Sequence, residues 1–282
     1  MKDKLFIILQ HILPQHALSA AMHRIARCTK PWFKNFIISR FVQYFQVNMA
    51  EASEPNPRKY ESFNAFFTRS LNGHARTLES DPENISCPVD GCISQIGDIR
   101  NSQLFQAKGK YFNLSALLGA DPMTANFEDG HFTTIYLSPK DYHRIHFPND
   151  ATLTKMLHVP GDLFSVNPTT AENIDELFAR NERVVAFFDT PAGPMAMVMV
   201  GAIFVSSIEA VWHGEVTPPR HNQVRSWSYK EGEHSFNKND EMARFNMGST
   251  IVLLYGKDNM SWAEELAAGQ TVRLGQVIGK IK

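Results

Sequence analysis

Helical periodicity fills the first fifty residues of this 282-residue sequence and then stops. Leu5, Ile8, Leu9 and Ile12 recur at i, i+3, i+4 and i+7, and Pro14 ends that run. Leu18, Ala21, Met22 and Ile25 repeat the pattern. A third run carries Phe33, Phe36, Ile37, Phe41, Tyr44 and Phe45, with Trp32 at its entrance. Glu54-Pro55-Asn56-Pro57 reads as a linker, and residues 60–71 as one more helix with Phe63, Phe66 and Phe67 on one side. From about residue 85 the apolar residues come instead in short runs between turn residues. Residues 132–137, 183–188, 195–200, 203–205 and 251–255 are predicted strands, and 175–179 a helical turn. Residues 269–279 alternate between glycines and predict a closing hairpin, with Pro88-Val89-Asp90-Gly91 as a matching early turn, as in a lipoyl-like barrel. Helices first and strands later predict an α+β fold. Amphipathic helices at 1–53 precede a mainly antiparallel β-rich domain at 54–282.

The charge pattern divides at the same place. In the first fifty residues Lys2, Lys4, Arg24, Arg27, Lys30, Lys34 and Arg40 face only Asp3, although the whole chain carries a net charge of −1. A balanced total gives no reason to expect nucleic acid, whereas the cationic N-terminal part suits an anionic partner. Helices with large apolar groups on one face and Lys or Arg on the other can lie in a membrane interface. They can equally pack on the protein's own core. No stretch reaches the roughly 18 apolar residues of a spanning helix. Lys2-Asp3-Lys4 ahead of Leu5–Leu9 imitates a signal peptide, but Gln10, His11 and Pro14 interrupt it too soon. Cys28, Cys87 and Cys92 are odd in number and without metal-type spacing, so reduced thiols are expected.

Phe245-Asn246-Met247-Gly248-Ser249-Thr250 runs straight into the apolar segment 251–255. A Gly-Ser step at a strand entrance can be an ordinary turn. It is also what a chain needs in order to cut itself, because the Gly248 carbonyl lacks a shielding Cβ and the Ser249 hydroxyl sits beside it. Asp90 lies in a turn, and Asp141-Tyr142-His143-Arg144-Ile145-His146 places two imidazoles three residues apart. Residues three apart share a face in a helical turn and oppose each other in a strand. Ser138-Pro139-Lys140-Asp141 just upstream predicts a turn, with both rings directed at Ser249. No third ligand with convincing spacing joins His143 and His146, so no metal site is expected.

These segments, with Gln106-Ala107-Lys108-Gly109-Lys110-Tyr111, resemble the bacterial, membrane-associated, pyruvoyl-dependent phosphatidylserine decarboxylase family. The resemblance runs from Phe63-Asn64-Ala65-Phe66-Phe67-Thr68-Arg69 to the last residues. Met247 stands where that family usually has Leu before Gly-Ser-Thr, a swap that conserves apolar volume. The resemblance implies that His146, oriented by Asp90, takes the Ser249 proton, as in a triad recognised by roles. Ser249 would then attack the Gly248 carbonyl, and elimination and hydrolysis would leave a pyruvoyl group at position 249. The implied products are a β chain, 1–248, and an α chain, 249–282. The implied cofactor is that pyruvoyl group, which forms a Schiff base with the serine amine of phosphatidylserine and accepts electrons as carbon dioxide leaves. His143 would return a proton before phosphatidylethanolamine is released. Implied partners are phosphatidylserine, an anionic membrane surface and the two cut chains as a heterodimer able to dimerise further. The implied place is the cytoplasmic side of the cell membrane, peripherally bound. Two other readings stay open: a soluble pyruvoyl-dependent amino-acid decarboxylase, and a non-enzymatic lipoyl-like binding module.

Overall fold

A computed structural model describes residues 2–204, 207–218, 222–247 and 249–282; of Ser249 it describes the backbone. Helix α1 (Lys2–Ile12) ends ahead of Pro14, and α2 (Gln15–Ala26) leaves it at a bend of 86°. Helix α3 (Pro31–Phe45) starts on a proline at its first position and stops at Gln46, whose φ of 56° is a left-handed cap. Helix α4 is shorter than its periodicity predicts and covers Phe63–Phe67 alone. The Ser62 hydroxyl caps it by accepting from Ala65 N–H at 3.2 Å. It cannot run on as far as residue 71, because the Thr68 carbonyl is taken by Arg144 Nε at 2.9 Å and Leu71 bridges to Ala52.

Polar side chains fasten α1 and α2 to the rest of the molecule. Gln10 Oε1 accepts from Ser165 N–H at 2.8 Å, Gln15 Oε1 from Leu163 N–H at 2.6 Å, and Ser19 Oγ from Phe204 N–H at 3.1 Å. The apolar stripe faces outward instead. Leu5, Ile8, Leu9, Ile12, Trp32, Phe36 and Tyr44 are all exposed. Phe41 and Phe45 of α3 turn inward against Phe63, Phe66 and Phe67 of α4. No single helix among the described residues is long and apolar enough to cross a membrane.

The first strands are β1 (Asn84–Ser86), β2 (Gly91–Asp98), β3 (Gln103–Ala107) and β4 (Lys110–Asn113), followed by β5 (His131–Leu137), β6 (Arg144–His146) and β7 (Ala151–Val159). β8 (Arg183–Thr190) and β9 (Gly193–Val200) form a long apolar hairpin. β10 (Ser207–Ala210), β11 (Gly214–Thr217), β12 (Arg225–Ser228) and β13 (Ser235–Phe236) are short. The chain closes with β14 (Glu241–Asn246), β15 (Ser249–Tyr255), β16 (Met260–Trp262), β17 (Thr271–Val272) and β18 (Val277–Ile281). The main sheet runs β12-β7-β8-β9-β15-β5-β2-β17, with β13 also on β7, and a smaller sheet runs β11-β10-β14-β6. These pairings are antiparallel. The result is a mixed helix-and-sheet fold with its long helices at the N-terminus and antiparallel sheets after them, among which lie only short helices such as Pro168–Asn173.

β15 lies at the centre of the main sheet. Ile251, Leu253 and Tyr255 enter one core cluster and Val252 and Leu254 the other. A strand buried on both faces reads as an unbroken apolar run, which is how residues 251–255 look in the sequence.

Two expectations need correction. Residues 269–279 do not close on themselves as a hairpin: β17 pairs with β2, and β18 pairs with β1 and β16. Gly275 sits between them at φ +82°, where a Cβ would meet the Thr77 carbonyl at 2.6 Å, so the chain wraps the 77–87 segment. Among the described residues no strand pair closes the main sheet into a barrel. Ile203 and Phe204 form a turn, because Phe204 has φ +68° and gives its N–H to Ser19; Val205 lies outside the described residues. The expected helical turn near 175–179 is present as Leu177–Arg180, and Cys28, Cys87 and Cys92 are free thiols.

Candidate active site

The strand that starts at Ser249 is pinned on both sides. Ser249 pairs with Leu137 on β5, and Thr250 pairs with Tyr136 on β5 and with Val200 on β9. Upstream, β14 belongs to the smaller sheet, where it pairs with β6, the strand that carries His146. The chain therefore leaves one sheet after Asn246 and has entered the other by Ser249. Gly248 and the Ser249 side chain lie outside what the structure describes. Met247 has φ +87° and rests against the α3–α4 aromatic cluster.

His143 lies one hydrogen bond from this crossing, since its carbonyl accepts from Phe245 N–H at 3.1 Å. Its ring is fully buried and stacks on Phe67 at 4.1 Å. Nε2 lies 3.1 Å from the Ser138 carbonyl. A carbonyl can only accept, so Nε2 carries the proton and Nδ1 holds the lone pair. Nδ1 is buried with no partner among the described residues. Burial, reinforced by the nearby Arg69 cation, pushes the imidazole down to about 3, against the pull of the Ser138 and Pro139 carbonyls. His143 is therefore a neutral base anchored one residue from Leu137, the ladder partner of Ser249.

His146 is engaged at both ring nitrogens. Nδ1 donates to the Asn239 carbonyl at 2.7 Å, so Nε2 accepts from the Tyr142 hydroxyl at 2.9 Å. Burial lowers its pKa as well, with the Asn239 carbonyl opposing. Asp90 is buried and bound elsewhere. Its Oδ1 accepts from Arg76 Nε at 3.0 Å and Leu274 N–H at 2.9 Å, and its Oδ2 takes a second bond from Arg76. Arg76 also reaches Glu51 at 2.7 Å, and the Asp90 bond raises the guanidinium pKa further. Asp90 and Tyr142 share the wall of a cavity of about 240 Å³ with Arg69, Asp141 and Arg273.

The structure thus brings His143 close to the Ser249 strand and joins His146 to the Asp90 cavity through Tyr142. It does not bond Asp90 to His146. The ladders Ser249–Leu137 and Tyr136–Cys92 put the start of β2 two strands from Ser249. Two strand spacings, about 10 Å, therefore separate the Ser249 backbone from the start of β2, which Asp90 immediately precedes. The two rings do not share a turn either. Asp141 N–H closes on the Ser138 carbonyl at 2.9 Å and its carboxylate accepts from Ser138 N–H at 2.7 Å, which ends the turn. The chain is a strand from Arg144 onward, so the rings part.

The sequence alone gives no role in the site to Tyr142, Arg76, Arg69, Phe67 or Asn239. Tyr142 was available as the middle of the Asp-Tyr-His run, and Phe67 and Arg69 as the end of Phe-Phe-Thr-Arg. Arg76 carries no local signal, and Asn239 acts through its backbone. Among the described residues no group of three or more His, Cys, Asp or Glu could hold a metal ion.

The family model for phosphatidylserine decarboxylase matches residues 63–280, and a model described as PSD matches residues 5–46. A phosphatidylserine decarboxylase proenzyme of Methylococcus capsulatus is 51% identical over 280 residues, covering 99% of this chain and 97% of its own. That of Azotobacter vinelandii is 51% identical over 284 residues, covering 99% of each. One from Pseudomonas putida is 52% identical over 280 residues, covering 98% of this chain and 97% of its own.

Proposed function

The chain belongs to the phosphatidylserine decarboxylase family, and from that premise we infer that it decarboxylates phosphatidylserine to phosphatidylethanolamine with release of carbon dioxide. It is a lyase made as a proenzyme. The family match across residues 63–280 carries this conclusion.

The processing step is our proposal. The Ser249 hydroxyl attacks the Gly248 carbonyl while an imidazole takes its proton, and the amide becomes an ester. Elimination then breaks the ester and frees chain 1–248. The dehydroalanine left at position 249 takes up water, loses ammonia and becomes the pyruvoyl end of chain 249–282. The residues present fit such a group. The position 249 backbone is fixed by its ladder on β5, and two buried polar atoms, His143 Nδ1 and Thr250 Oγ1, have no partner among the described residues. A pyruvoyl group supplies the electron sink that decarboxylation of an amino acid requires.

Asp90, His143, His146 and Ser249 are the proposed catalytic residues, and Gly248-Ser249 the cut. His143 can accept a proton at Nδ1 as it stands. His146 becomes the base for Ser249 only when the Tyr142 hydroxyl moves off Nε2. Asp90 shares a cavity wall with Tyr142, whose hydroxyl holds that nitrogen. We also propose that the protein binds peripherally to the cytoplasmic side of the cell membrane. The exposed apolar residues of α1 and α3 and the N-terminal cations support this reading. The lipoyl-like reading of the C-terminal region rests on β17 and β18, which flank the 88–91 turn through β2 and β1.

Intact mass after a denaturing gel tests the proposal. The expected result is two fragments separated between Gly248 and Ser249, the smaller one blocked to Edman chemistry. Ser249→Ala is expected to stay whole and inactive; a cut Ser249→Ala chain would overturn the assignment. Scission lost in His146→Ala but kept in His143→Ala would assign the scission base to His146. The opposite result would assign it to His143.

A further inference from the structure

The short helix α4 touches both halves of the proposed cut site. At its start, Asn64 Nδ2 donates to Asn246 Oδ1 at 2.9 Å. The buried Asn246 amide donates in turn to the Ser207 hydroxyl on β10. Asn246 ends β14 and precedes Ser249 by only Met247 and Gly248. Met247 then packs on the cluster that holds Phe63, Phe66 and Phe67. Its φ of +87° is unfavourable for a side chain of that size. Such a conformation persists only where contacts on both sides impose it.

The far end of the same segment grips the histidine turn. Phe67 stacks on the His143 ring, and the Thr68 carbonyl accepts from Arg144 Nε at 2.9 Å. Arg69 Nη2 donates to the Lys140 carbonyl at 2.9 Å and to the Asp141 carbonyl at 3.3 Å. The Arg69 side chain is 95% buried by a relative exposure of 5%, yet no carboxylate pairs with it among the described residues. Its Nε and Nη1 have no partner among the described residues, and its guanidinium lies over the Phe66 ring at 5.5 Å. Asp90, Glu51 and Asp141 act on it only at longer range than an ion pair, and burying a cation without a close partner is costly in stability, so packing alone is a poor reason for one here.

Building on the self-cleavage proposed above, we propose that α4 and Arg69 form a positioning bracket for scission: Asn64 fixes the strand end ahead of Ser249, and Arg69 fixes the turn that carries His143. Neither residue touches the reacting atoms. The bracket sets the distance between the two segments whose groups must meet, and a displacement of about 1 Å costs about a hundredfold in rate. It adds to the direct bond between the segments, in which Phe245 N–H donates to the His143 carbonyl at 3.1 Å.

The test follows full-length chain into fragment over time for wild type, Asn64→Leu, Arg69→Met and Arg69→Lys, at a temperature where near-ultraviolet circular dichroism reports each as folded. Turnover per cut chain is then measured on phosphatidylserine in mixed micelles. Scission in Asn64→Leu and Arg69→Met is expected to slow by at least about tenfold, and Arg69→Lys is expected to recover most of the loss. In Asn64→Leu the loss of scission should exceed the loss of turnover per cut chain. If Asn64→Leu does not fold, the Arg69→Met and Arg69→Lys pair decides. Scission at the wild-type rate in Arg69→Met overturns the bracket, and so does a scission loss in Asn64→Leu matched by an equal loss of turnover. A wild-type chain that is not cut ahead of Ser249 overturns the self-cleavage reading instead.

Discussion

His143 is the residue whose chemistry is most changed by where it sits. Its pKa in the fold is about 3 against an ordinary value of 6.5, chiefly through burial. Between those values the unfolded chain binds a proton that the folded chain refuses. Stability from this group is therefore complete above about pH 6.5 and falls as the pH drops, by up to about 1.4 kcal/mol per unit. His146 is shifted the same way and adds to the slope. Urea unfolding of the uncut Ser249→Ala protein near pH 7 and about pH 5 should show the loss, and His143→Phe, which keeps a ring on Phe67, should flatten it. An identical slope in the two proteins would contradict the burial argument. Asp90→Asn makes a different case. It leaves Arg76 buried with Glu51 alone, and it should destabilise by about 3 kcal/mol in the same assay, as breaking a buried pair does. The His-x-x-His spacing and the Asp90 turn were legible in the sequence as candidates. The tautomer, the unpartnered nitrogen and the Arg76 pair were not, since each depends on residues distant in the chain: Phe67, Arg69 and Arg76.

At the scale of elements, local periodicity located α1, α2 and α3 well, because Pro14, Pro31 and the cap at Gln46 punctuate them. It overestimated α4, whose end is set by tertiary bonds to Thr68 and Arg69 rather than by the pattern of phenylalanines. The strands at 195–200 and 251–255 were legible because both faces are buried and the runs are apolar throughout, and those at 132–137 and 183–188 because only Thr133, Thr134 and Arg183 interrupt theirs. Residues 269–279 misled because an alternating, glycine-punctuated run does not say which strand it pairs with. The exposed stripe of α1 and α3 gives the membrane proposal its test. Replacing Leu5, Ile8 and Phe36 with Ser removes side chains worth about 1.5–3 kcal/mol each when buried. Because all three are exposed, the melting temperature should hold, while flotation with anionic vesicles falls by more than about tenfold. Unchanged flotation would remove this face from the membrane role.

At the scale of the whole molecule, the α+β class was legible but the sheet order was not, and the order governs how a cut chain behaves. The proposed α chain begins with the central strand of the main sheet, flanked on both sides by strands of the β chain. Residues 251–255 are fully buried between the two core clusters. Scission ahead of Ser249 removes one covalent link and none of those contacts, so the two fragments should co-elute on native gel filtration and separate only in denaturant. Refolding is another matter. In the uncut chain β15 is tethered next to its place, at an effective concentration in the millimolar range. After the cut it must find that place as a free, strongly apolar segment, in competition with its own aggregation. Urea-denatured cut protein at micromolar concentration should therefore recover far less native near-ultraviolet circular dichroism on dilution than Ser249→Ala does. The rate of that recovery should rise with fragment concentration, whereas that of Ser249→Ala should not. Equal recovery in the two would mean that β15 docks last and independently, and that the order of folding before cutting is not imposed by the sheet.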